Sequence, residues 1–398
     1  MATTEERLAA LEAKMAQLTT TTPTTYYTHQ YSGEEIDAAV GRALTGGALD
    51  TSVTNVSNQL GTLVRPNLLD NWYFGRPVDQ RGGKIIQQGV NIYADSALKT
   101  LIGPAAYACP VVELTSTYAK VQDAKNTSNY YYAAPADVVR GYTGNGYTID
   151  RWKMEIDIGT VTVDSDGIIL DGGAHGITLN QQSGTALVEA LRGKIVTQSV
   201  MYTVLQQTGA VGGFGTEVPG QYIARVLLPG TIGAKTVSSA TITMPDNLHN
   251  FAWFYLPPGC KIKIHAVKVE LGPTQTLAHQ DVTGKWVLNE VPEYGGQLRR
   301  CQRYFYRVNS HAYGWTYNNN TVNCLIPLPV TLRTSPVITL NESGTINTVK
   351  GDASMTSYEV KNAKPNGLII DLHNSANALT TGTPVVWHNF DIDISADL

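Results

Sequence analysis

Residues 260–272, CKIKIHAVKVELG, decide the fold class of this chain because apolar and polar side chains alternate along them. Ile262 and Ile264 fall on one face of the segment, whereas Lys263 and His265 fall on the other. A period of two residues is that of a β-strand with one buried face. The segment therefore predicts a strand that packs its isoleucines on a core.

Similar short runs lie before this segment and are separated by Gly, Pro, Asn and Asp. They include YTIDRWKMEIDIG, VTVDSDGIILDG, GKIVTQSVMYTVLQQTG, GQYIARVLLPG and KTVSSATITMP. The chain has 37 glycines and 21 tyrosines, and only 16% of its residues are charged, which favours strands and turns. No helical segment between the runs supports βαβ units. The prediction is a mainly β chain with an antiparallel sandwich of the jelly-roll type.

The 398 residues divide into four parts, because a chain of this length exceeds one ordinary core. Residues 1–64 are predicted to form short helices, and residues 65–277 the β-sandwich. Residues 278–293 are polar and less periodic, and we expect a linker there. Residues 294–398 open with a short helix, in QLRRCQRYFY, and continue with strand-like runs, so a smaller C-terminal β domain is expected.

Apolar residues in the first part recur at intervals of three and four, as at the a and d positions of a coiled coil. Short helices of this kind are marginal alone in water, and the polar run TTTTPTTYYTHQ gives the first one nothing to pack on. The alternative is a helix packed on its own globular domain. We predict a parallel homotrimer instead. The predicted trimerisation residues are Leu8, Leu11, Met15, Leu18, Val53, Val56, Leu60 and Leu63.

Five stretches follow one another in a fixed order. They are YSGEEIDAAVGRAL (31–44), PNLLDNWYFGRPVDQRG (66–82), GYTIDRW (146–152), VKVELGPTQTL (267–277) and QLRRCQRYFY (297–306). This ordered set resembles a family of tail fibre and minor tail structural proteins from phages and prophages of Gram-positive, often gut, bacteria. The resemblance implies a tail appendage, usually trimeric, with sandwiches like those of carbohydrate-binding modules. It implies no catalytic set.

Two of these stretches also have structural roles that their chemistry predicts. In residues 67–74, NLLDNWYF, the aromatic rings are expected to close an edge of the sandwich while Asn and Asp side chains cap the turn. In TIDRW, Ile149 and Trp152 are expected to face the core, and Arg151 to pair with a carboxylate.

Motifs for nucleophilic or metal chemistry are absent from the sequence. The four cysteines have no CxxC spacing, and neither GxSxG nor HExxH occurs. We expect the cysteines to be buried small apolar residues in a reducing compartment. Residues 212–215, GGFG, lack the rest of a GxGxxG motif and predict a flexible loop.

Carboxylate pairs are the remaining catalytic candidates. Glu155 with Asp157, and Asp164 with Asp166, are two residues apart, so each pair would share a strand face. A glycosidase needs two such groups. The segment Asp164–Gly167, DSDG, is first interpreted as a hairpin turn, so its aspartates are explained without a catalytic role. We therefore expect no enzyme activity.

A structural calcium ion is the one cofactor considered. Asp164, Asp166 and Asp171 supply oxygen atoms within one stretch. The spacing lacks the glycine and the terminal glutamate of an EF-hand loop. We therefore expect no metal and no cofactor.

Alternating aromatic residues are the clearest binding signal. In HAYGWTYNNN three rings would share one side of a strand beside asparagines, and in NYYYA the first and third tyrosines would share a face. Aromatic rings stack on the apolar faces of sugars, and amides bind the hydroxyl groups. The alternative is that the first three rings face a trimer interface or a core. The predicted glycan contacts are Tyr313, Trp315, Tyr317, Asn318, Tyr130 and Tyr132.

Charge and hydropathy limit the partners. The net charge of −4, without a basic stripe, argues against nucleic acid. No apolar run is long enough for membrane insertion, and MATTEERLAALEAKMAQL lacks the apolar core of a secretory signal. We expect synthesis in the host bacterial cytoplasm.

These observations predict a structural and receptor-binding subunit of a phage or phage-like tail fibre, located at the tail tip of the virion. Its N-terminus would bind a tail or baseplate protein, and its distal part a host cell-surface glycan or protein. The alternatives are a glycan depolymerase on the same scaffold and a carbohydrate-binding adhesin module.

Overall fold

The structure of the chain is a computed structural model. It describes residues 65–397 apart from 156–158, 310, 349–350 and 377–378, together with residues 9, 10, 12 and 13. The chain divides into two compact units, Met1–Leu63 and Val64–Leu398. Nearly all described residues belong to the second unit.

The predicted trimerisation seam lies outside the described residues. This holds for Leu8, Leu11, Met15, Leu18, Val53, Val56, Leu60 and Leu63. Residues 9, 10, 12 and 13 are helical and exposed, and they fall within the first predicted helix. Association through the seam stays a prediction.

Antiparallel strands dominate the second unit, which confirms the prediction of a mainly β chain. The strands that precede its first helix are β1 (Lys84–Ile86), β2 (Asn91–Tyr93), β3 (Leu101–Pro104), β4 (Cys109–Leu114), β5 (Ala119–Gln122), β6 (Tyr130–Ala133), β7 (Val138–Thr143), β8 (Gly146–Tyr147), β9 (Lys153–Met154), β10 (Thr160–Val163), β11 (Ile168–Asp171) and β12 (Ile177–Asn180). A short 3-10 helix, Pro135–Asp137, separates β6 from β7.

Two helices interrupt the strands that follow. The first segment is α1 (Thr185–Leu191), β13 (Ile195–Gln206), β14 (Gly213–Val218), β15 (Gln221–Leu227), β16 (Lys235–Thr243), β17 (Asn250–Leu256), β18 (Lys261–Leu271), β19 (Ala278–Gln280) and β20 (Trp286–Leu288). The second is α2 (Tyr294–Gln302), β21 (Phe305–Val308), β22 (Ala312–Thr316), β23 (Thr321–Pro327), β24 (Val337–Thr348), β25 (Gly351–Ser354), β26 (Ser357–Lys364), β27 (Gly367–His373) and β28 (Pro384–Ser395).

The strands form three large sheets and one hairpin, β19–β20. The twelve-stranded sheet has the order β16-β13-β18-β11-β10-β7-β1-β4-β5-β6-β2-β3, and the six-stranded sheet the order β15-β14-β17-β12-β9-β8. The eight-stranded sheet has the order β25-β24-β28-β22-β23-β27-β26, with β21 beside β28. The order shows that many neighbouring strands are distant in sequence.

One core lies between the twelve-stranded and the six-stranded sheets, which face each other as a sandwich. Ile262 and Ile264 of β18 are buried in it from one side, and Phe214 and Phe254 from the other. The ring centroids of Phe214 and Phe254 are 4.5 Å apart, and Trp152 lies 5.8 Å from Phe254. The isoleucines of residues 260–272 thus face inward, as predicted.

His265 departs from the predicted alternation because its side chain is buried. The ladder between β13 and β18 skips this residue, so it lies in a β-bulge. Its Nδ1–H donates to the carbonyl of Asp166 at 2.9 Å, and its Nε2 therefore accepts from the hydroxyl of Thr203 at 2.9 Å. Burial lowers the pKa of His265 below its ordinary value.

The TIDRW segment and the turn-capping Asn71 are placed as predicted, and Trp72 and Phe74 are buried in the sandwich core. Ile149 and Trp152 are fully buried, and Arg151 Nε lies 3.3 Å from a carboxylate oxygen of Asp70. Asn71 Nδ2 donates to the carbonyls of Val78 and Asp150, and its Oδ1 accepts from the Val78 amide, each at 2.8 Å. The turn is thus tied to the TIDRW segment.

The strand pattern did not predict α1, which lies between β12 and β13. Val188 and Leu191 are its buried residues, and they pack on the sandwich core. Two inward residues are too few to give a recognisable helical period. The sheets on either side stay antiparallel, so α1 creates no βαβ unit.

The prediction of a flexible loop at GGFG is wrong. Gly213, Phe214 and Gly215 belong to β14 and are buried. A β-carbon on Gly215 would lie 2.1 Å from the backbone oxygen of Ile223, so this position has no room for a side chain. The close approach of the neighbouring strand β15, and not a need for flexibility, explains why residue 215 is a glycine.

The eight-stranded sheet has a separate core. The rings of Trp387 and Phe390 stack there with centroids 3.8 Å apart, beside the buried side chains of Cys324 and Ile370. Residues 278–293, expected as a linker, contain the β19–β20 hairpin. Its flanking residue Leu277 is buried in the sandwich core, and Trp286 packs against that core.

A buried ionic contact joins the sandwich to the eight-stranded sheet. Arg81 Nη1 lies 3.1 Å from Asp150 Oδ1, and Nη2 bonds Asp397. The guanidinium carbon lies 3.7 Å from the ring centroid of Phe305 in β21. Burial raises the pKa of Asp150 to about 6, although Arg81 opposes the shift.

The four cysteines are free and buried, as predicted. Over the described residues, no helix combines the length and the apolar character that crossing a bilayer requires.

Candidate functional site

Three aromatic rings stand on one face of β22 and just beyond it. Tyr313 is 71% exposed, Trp315 52% and Tyr317 70%, whereas Ala312 and Thr316 between and beside them are buried. Successive residues of a strand point to opposite faces, so the three rings form one row on the outside. We call Tyr313, Trp315 and Tyr317 the aromatic row. A core position for these rings, one of the alternatives, is wrong.

Side chains of the strands next to β22 form the surface around the aromatic row. Leu325 of β23 lies directly across from Tyr313, and Asn323 across from Trp315. On the other side a shallow cavity of about 280 Å³ is lined by Tyr313, Pro384 and Val386, among others. The row therefore combines flat apolar rings with a shallow depression.

Asn318 belongs to the turn that follows the row. Its Oδ1 accepts the backbone N–H of Asn320 at 2.9 Å, and the backbone N–H of Tyr317 bonds the carbonyl of Thr321 at 2.8 Å. The Asn318 side chain thus holds the turn through its oxygen, and its amide nitrogen is the part left to contact a ligand.

The tyrosines of β6 lie in the twelve-stranded sheet, apart from the aromatic row in sheet and in core. Tyr130 is 44% exposed, with Lys120 Nζ 4.7 Å from its ring centroid, and Tyr132 packs edge-on against Tyr118 at 5.4 Å. Tyr131 packs on the small core of that region. The structure therefore does not unite the two predicted sets of tyrosines in one site.

Lysines hold the aspartates that were considered for calcium. Lys263 Nζ lies 2.6 Å from Asp164 and 2.8 Å from Asp166, and Lys261 Nζ lies 3.1 Å from Asp171. The hydrogen bond to Lys263 lowers the pKa of Asp164 and Asp166. Among the described residues no cluster of three or more His, Cys, Asp or Glu is arranged to hold a metal.

Of the carboxylate pairs considered for a glycosidase, Asp164 and Asp166 are brought together by ion pairs to the same Lys263. Both aspartates lie in the turn between β10 and β11, where the Asp164 N–H donates to the carbonyl of Gly167. Glu155 lies 3.6 Å from Lys153, and Asp157 is outside the described residues.

A cleft in the sandwich was missed by the sequence analysis. Its volume is about 450 Å³, and its walls include Glu155, Glu217, His249 and Trp253. Glu155, Glu217 and the segment that holds His249 and Trp253 are far apart in sequence and come together only through sheet order. The one local signal is the alternation in NFAWFYL (250–256), which places Trp253 and a tyrosine on the same face.

No protein-family model matches the chain, and no curated protein matches it. Three solved structures are similar to parts of it. The first holds the CBM22-1 and GH10 modules of endo-1,4-β-D-xylanase 10B from Clostridium thermocellum, complexed with xylohexaose, at a TM-score of 0.25 and 10% identity; the match covers 34% of this chain and 29% of that one.

The second is the N-terminal CBM22-1–CBM22-2 tandem domain of Xyn10C from Paenibacillus barcinonensis, at a TM-score of 0.24 and 9% identity, covering 64% of this chain and 99% of that one. The third is discoidin II of Dictyostelium discoideum, at a TM-score of 0.14 and 11% identity, covering 60% and 82%. The match to the first of these structures spans only 29% of that structure's own chain. At these TM-scores the likeness decides neither the fold nor the function of this chain.

Proposed function

We propose that this chain is a structural and receptor-binding subunit of a phage or phage-like tail fibre, which attaches without catalysis to a glycan on the host cell surface. The observation that carries the proposal is the aromatic row of Tyr313, Trp315 and Tyr317, three exposed rings along the outer face of β22 and just beyond its end.

A row of exposed aromatic rings is an apolar patch, and such patches promote aggregation unless they serve as binding sites. The apolar C–H faces of sugars stack on such rings, which removes apolar area of both partners from water. Hydroxyl groups of the sugar would then bond polar atoms at the rim, including the Asn318 amide. A polysaccharide fits an open row better than a compact ligand does, because the depression beside the row is shallow.

The tail setting is supported by the sequence stretches that resemble tail fibre proteins, and the trimer by the apolar seam of the first 64 residues. Three copies of a shallow site on one particle gain affinity through multivalency, so each single site can be weak. The first residues of the chain would bind a tail or baseplate protein.

An array of bacterial capsular and wall polysaccharides tests this function with the whole chain as the probe. We expect binding to one group of related glycans and loss of the signal in Trp315→Ala. The matched control is Tyr358→Ala, which removes an exposed ring from β26 of the same sheet and should bind like the wild type. No bound glycan on the array, or equal binding by Trp315→Ala, contradicts the proposal.

A further inference from the structure

The outer face of the six-stranded sheet concentrates buried polar atoms that have no hydrogen-bond partner. Of the ten such side-chain atoms in the described residues, five belong to Thr178, Asn180, Tyr222 and Trp253. Asn180 is fully buried, and neither polar atom of its amide has a partner among the residues that the structure describes. Buried polar groups are nearly always paired in folded proteins, so a cluster of exceptions needs an explanation.

The register of the strands places these four residues on one face. Asn180 lies across from Trp253, and Thr178 across from Tyr255, while the alternate residues Leu179 and Phe254 point into the sandwich core. The unpaired atoms therefore lie on the side of the sheet that faces away from the core.

Aromatic rings cover this face. Tyr222 lies with its ring centroid 6.4 Å from that of Trp253 and 6.0 Å from that of Tyr255. A β-carbon on Gly213 would lie 3.2 Å from the Tyr222 hydroxyl. The absence of a side chain at Gly213 lets the tyrosine lie close to the sheet, beside the indole.

The cleft of about 450 Å³ opens at this aromatic cover. Trp253 forms part of its wall, together with Glu155, Glu217, Gln182 and Arg192. The carboxylate of Glu217 forms no hydrogen bond or ion pair with any described residue, and burial raises its pKa. Arg192 uses one nitrogen to bond the carbonyl of Leu248.

The lining indicates the chemistry of the ligand. The wall combines Glu155 and Glu217 with Arg192 and His249, so it offers both charge signs to polar groups, while Val188, Leu248 and Trp253 add apolar surface. Carboxylate, amide and guanidinium groups around one indole ring match a ligand that is rich in hydroxyl groups and has an apolar ring face. A volume of about 450 Å³ is in the range of small-molecule sites.

We propose that this cleft is a second carbohydrate-binding site, which takes an uncharged oligosaccharide with one sugar ring on Trp253. Glu155, Glu217 and Gln182 bond the sugar hydroxyl groups. Asn180, whose amide has no partner among the described residues, lies directly across from Trp253 in the sheet and so next to the wall of the cleft. This site does not depend on the aromatic row, since it belongs to another sheet and another core.

The test is a calorimetric titration of the full chain with hexasaccharides of glucan, mannan, xylan and chitin, followed in parallel by tryptophan fluorescence. We expect saturable binding of at least one hexasaccharide, with a shift in emission. Trp253→Ala should weaken it at least tenfold and Glu217→Gln severalfold. Trp315→Ala is the matched control and should retain the affinity and the shift. Thermal unfolding of both tryptophan variants shows that each is folded.

Each other outcome contradicts the second site in a recognisable way. If no hexasaccharide binds the wild type, the ligand class is wrong. If binding persists in Trp253→Ala and in Glu217→Gln and is lost in Trp315→Ala, the aromatic row alone binds sugar, so the proposed function survives and the cleft does not. Release of reducing ends that stops in Glu217→Gln would make the cleft an active site instead of a binding site.

Discussion

At the scale of single residues, the sequence predicted best those side chains whose roles are set by their immediate neighbours. The burial of Ile149 and Trp152 and the pairing of Arg151 with a carboxylate follow from one short motif, and all three are confirmed. His265 was misplaced because strict alternation assumes a regular pleat, and a β-bulge interrupts it. Bulges depend on the partner strand, which the local sequence does not reveal.

The bulge at His265 has a consequence for stability against pH. Burial lowers the pKa of His265 in the folded chain. As the pH falls through about 6.5, the histidine is therefore protonated in the unfolded chain while it stays neutral in the folded chain. The unfolded state then binds more protons, and stability falls as the pH is lowered through this window, by at most about 1.4 kcal/mol per pH unit.

Urea unfolding between pH 7.5 and pH 5 measures this effect. We expect the free energy of unfolding of the wild type to decrease toward pH 5, and a flatter profile for His265→Gln. His279→Gln, at an exposed histidine, is the control and should keep the wild-type slope. The same slope in His265→Gln and in the wild type would show that another group titrates.

At the scale of elements, strand identity was predictable and strand partnership was not. The strand β18 and the hairpin at DSDG were predicted from the sequence, and both are confirmed. The alternation of β18 holds only over Lys261–Ile264, because residues 265–270 are all buried. The GGFG segment was misread because glycine in a loop and glycine under a close neighbouring strand look alike in sequence. The cleft was missed because strand partnership is not visible in the sequence. Strands β14 and β17, which carry Glu217 and Trp253, become neighbours only in the folded sheet.

A substitution at Gly215 tests the explanation that strand β15 approaches β14 too closely there for a side chain. In Gly215→Ala the new methyl group would collide with the backbone of Ile223, which cannot move without breaking the β14–β15 pairing. We expect a loss of about 2–4 kcal/mol in the free energy of unfolding, measured with urea. Gly367→Ala has open space around the new methyl group and should stay within about 0.5 kcal/mol of the wild type. Equal stability of the two variants would refute the steric explanation.

At the scale of the whole molecule, the sequence did not reveal how the sandwich and the eight-stranded sheet are joined. Arg81 makes the joint by bonding Asp150 from one side and Asp397 from the other, and the three residues are spread over the chain. Arg81→Ala would leave two buried carboxylates without their cation, at a cost of about 3–5 kcal/mol.

Differential scanning calorimetry shows the effect of that joint. In Arg81→Ala we expect a lower Tm and a transition that separates into two, because the two cores no longer unfold together. Lys361→Ala breaks an exposed ion pair at 2.7 Å and should change little. A single transition at the wild-type Tm in Arg81→Ala would mean that the joint contributes nothing.

The predicted trimer also belongs to this scale. Light scattering should give three times the 43.0 kDa of one chain at micromolar concentration. Leu11→Asp, in the predicted seam, should reduce the mass, whereas Leu101→Asp, at an exposed leucine of β3, should not. A wild-type particle with the mass of one chain would remove the trimer from the proposed function.

Hydroxyl-radical footprinting of the aromatic row, with and without the glycan selected on the array, tests the receptor-binding claim most directly. The account predicts that Tyr313, Trp315 and Tyr317 are oxidised in the free protein and protected by the glycan, while Tyr358 reacts equally in both. Rings that are protected before any glycan is added, or that stay equally reactive after it, would contradict the account.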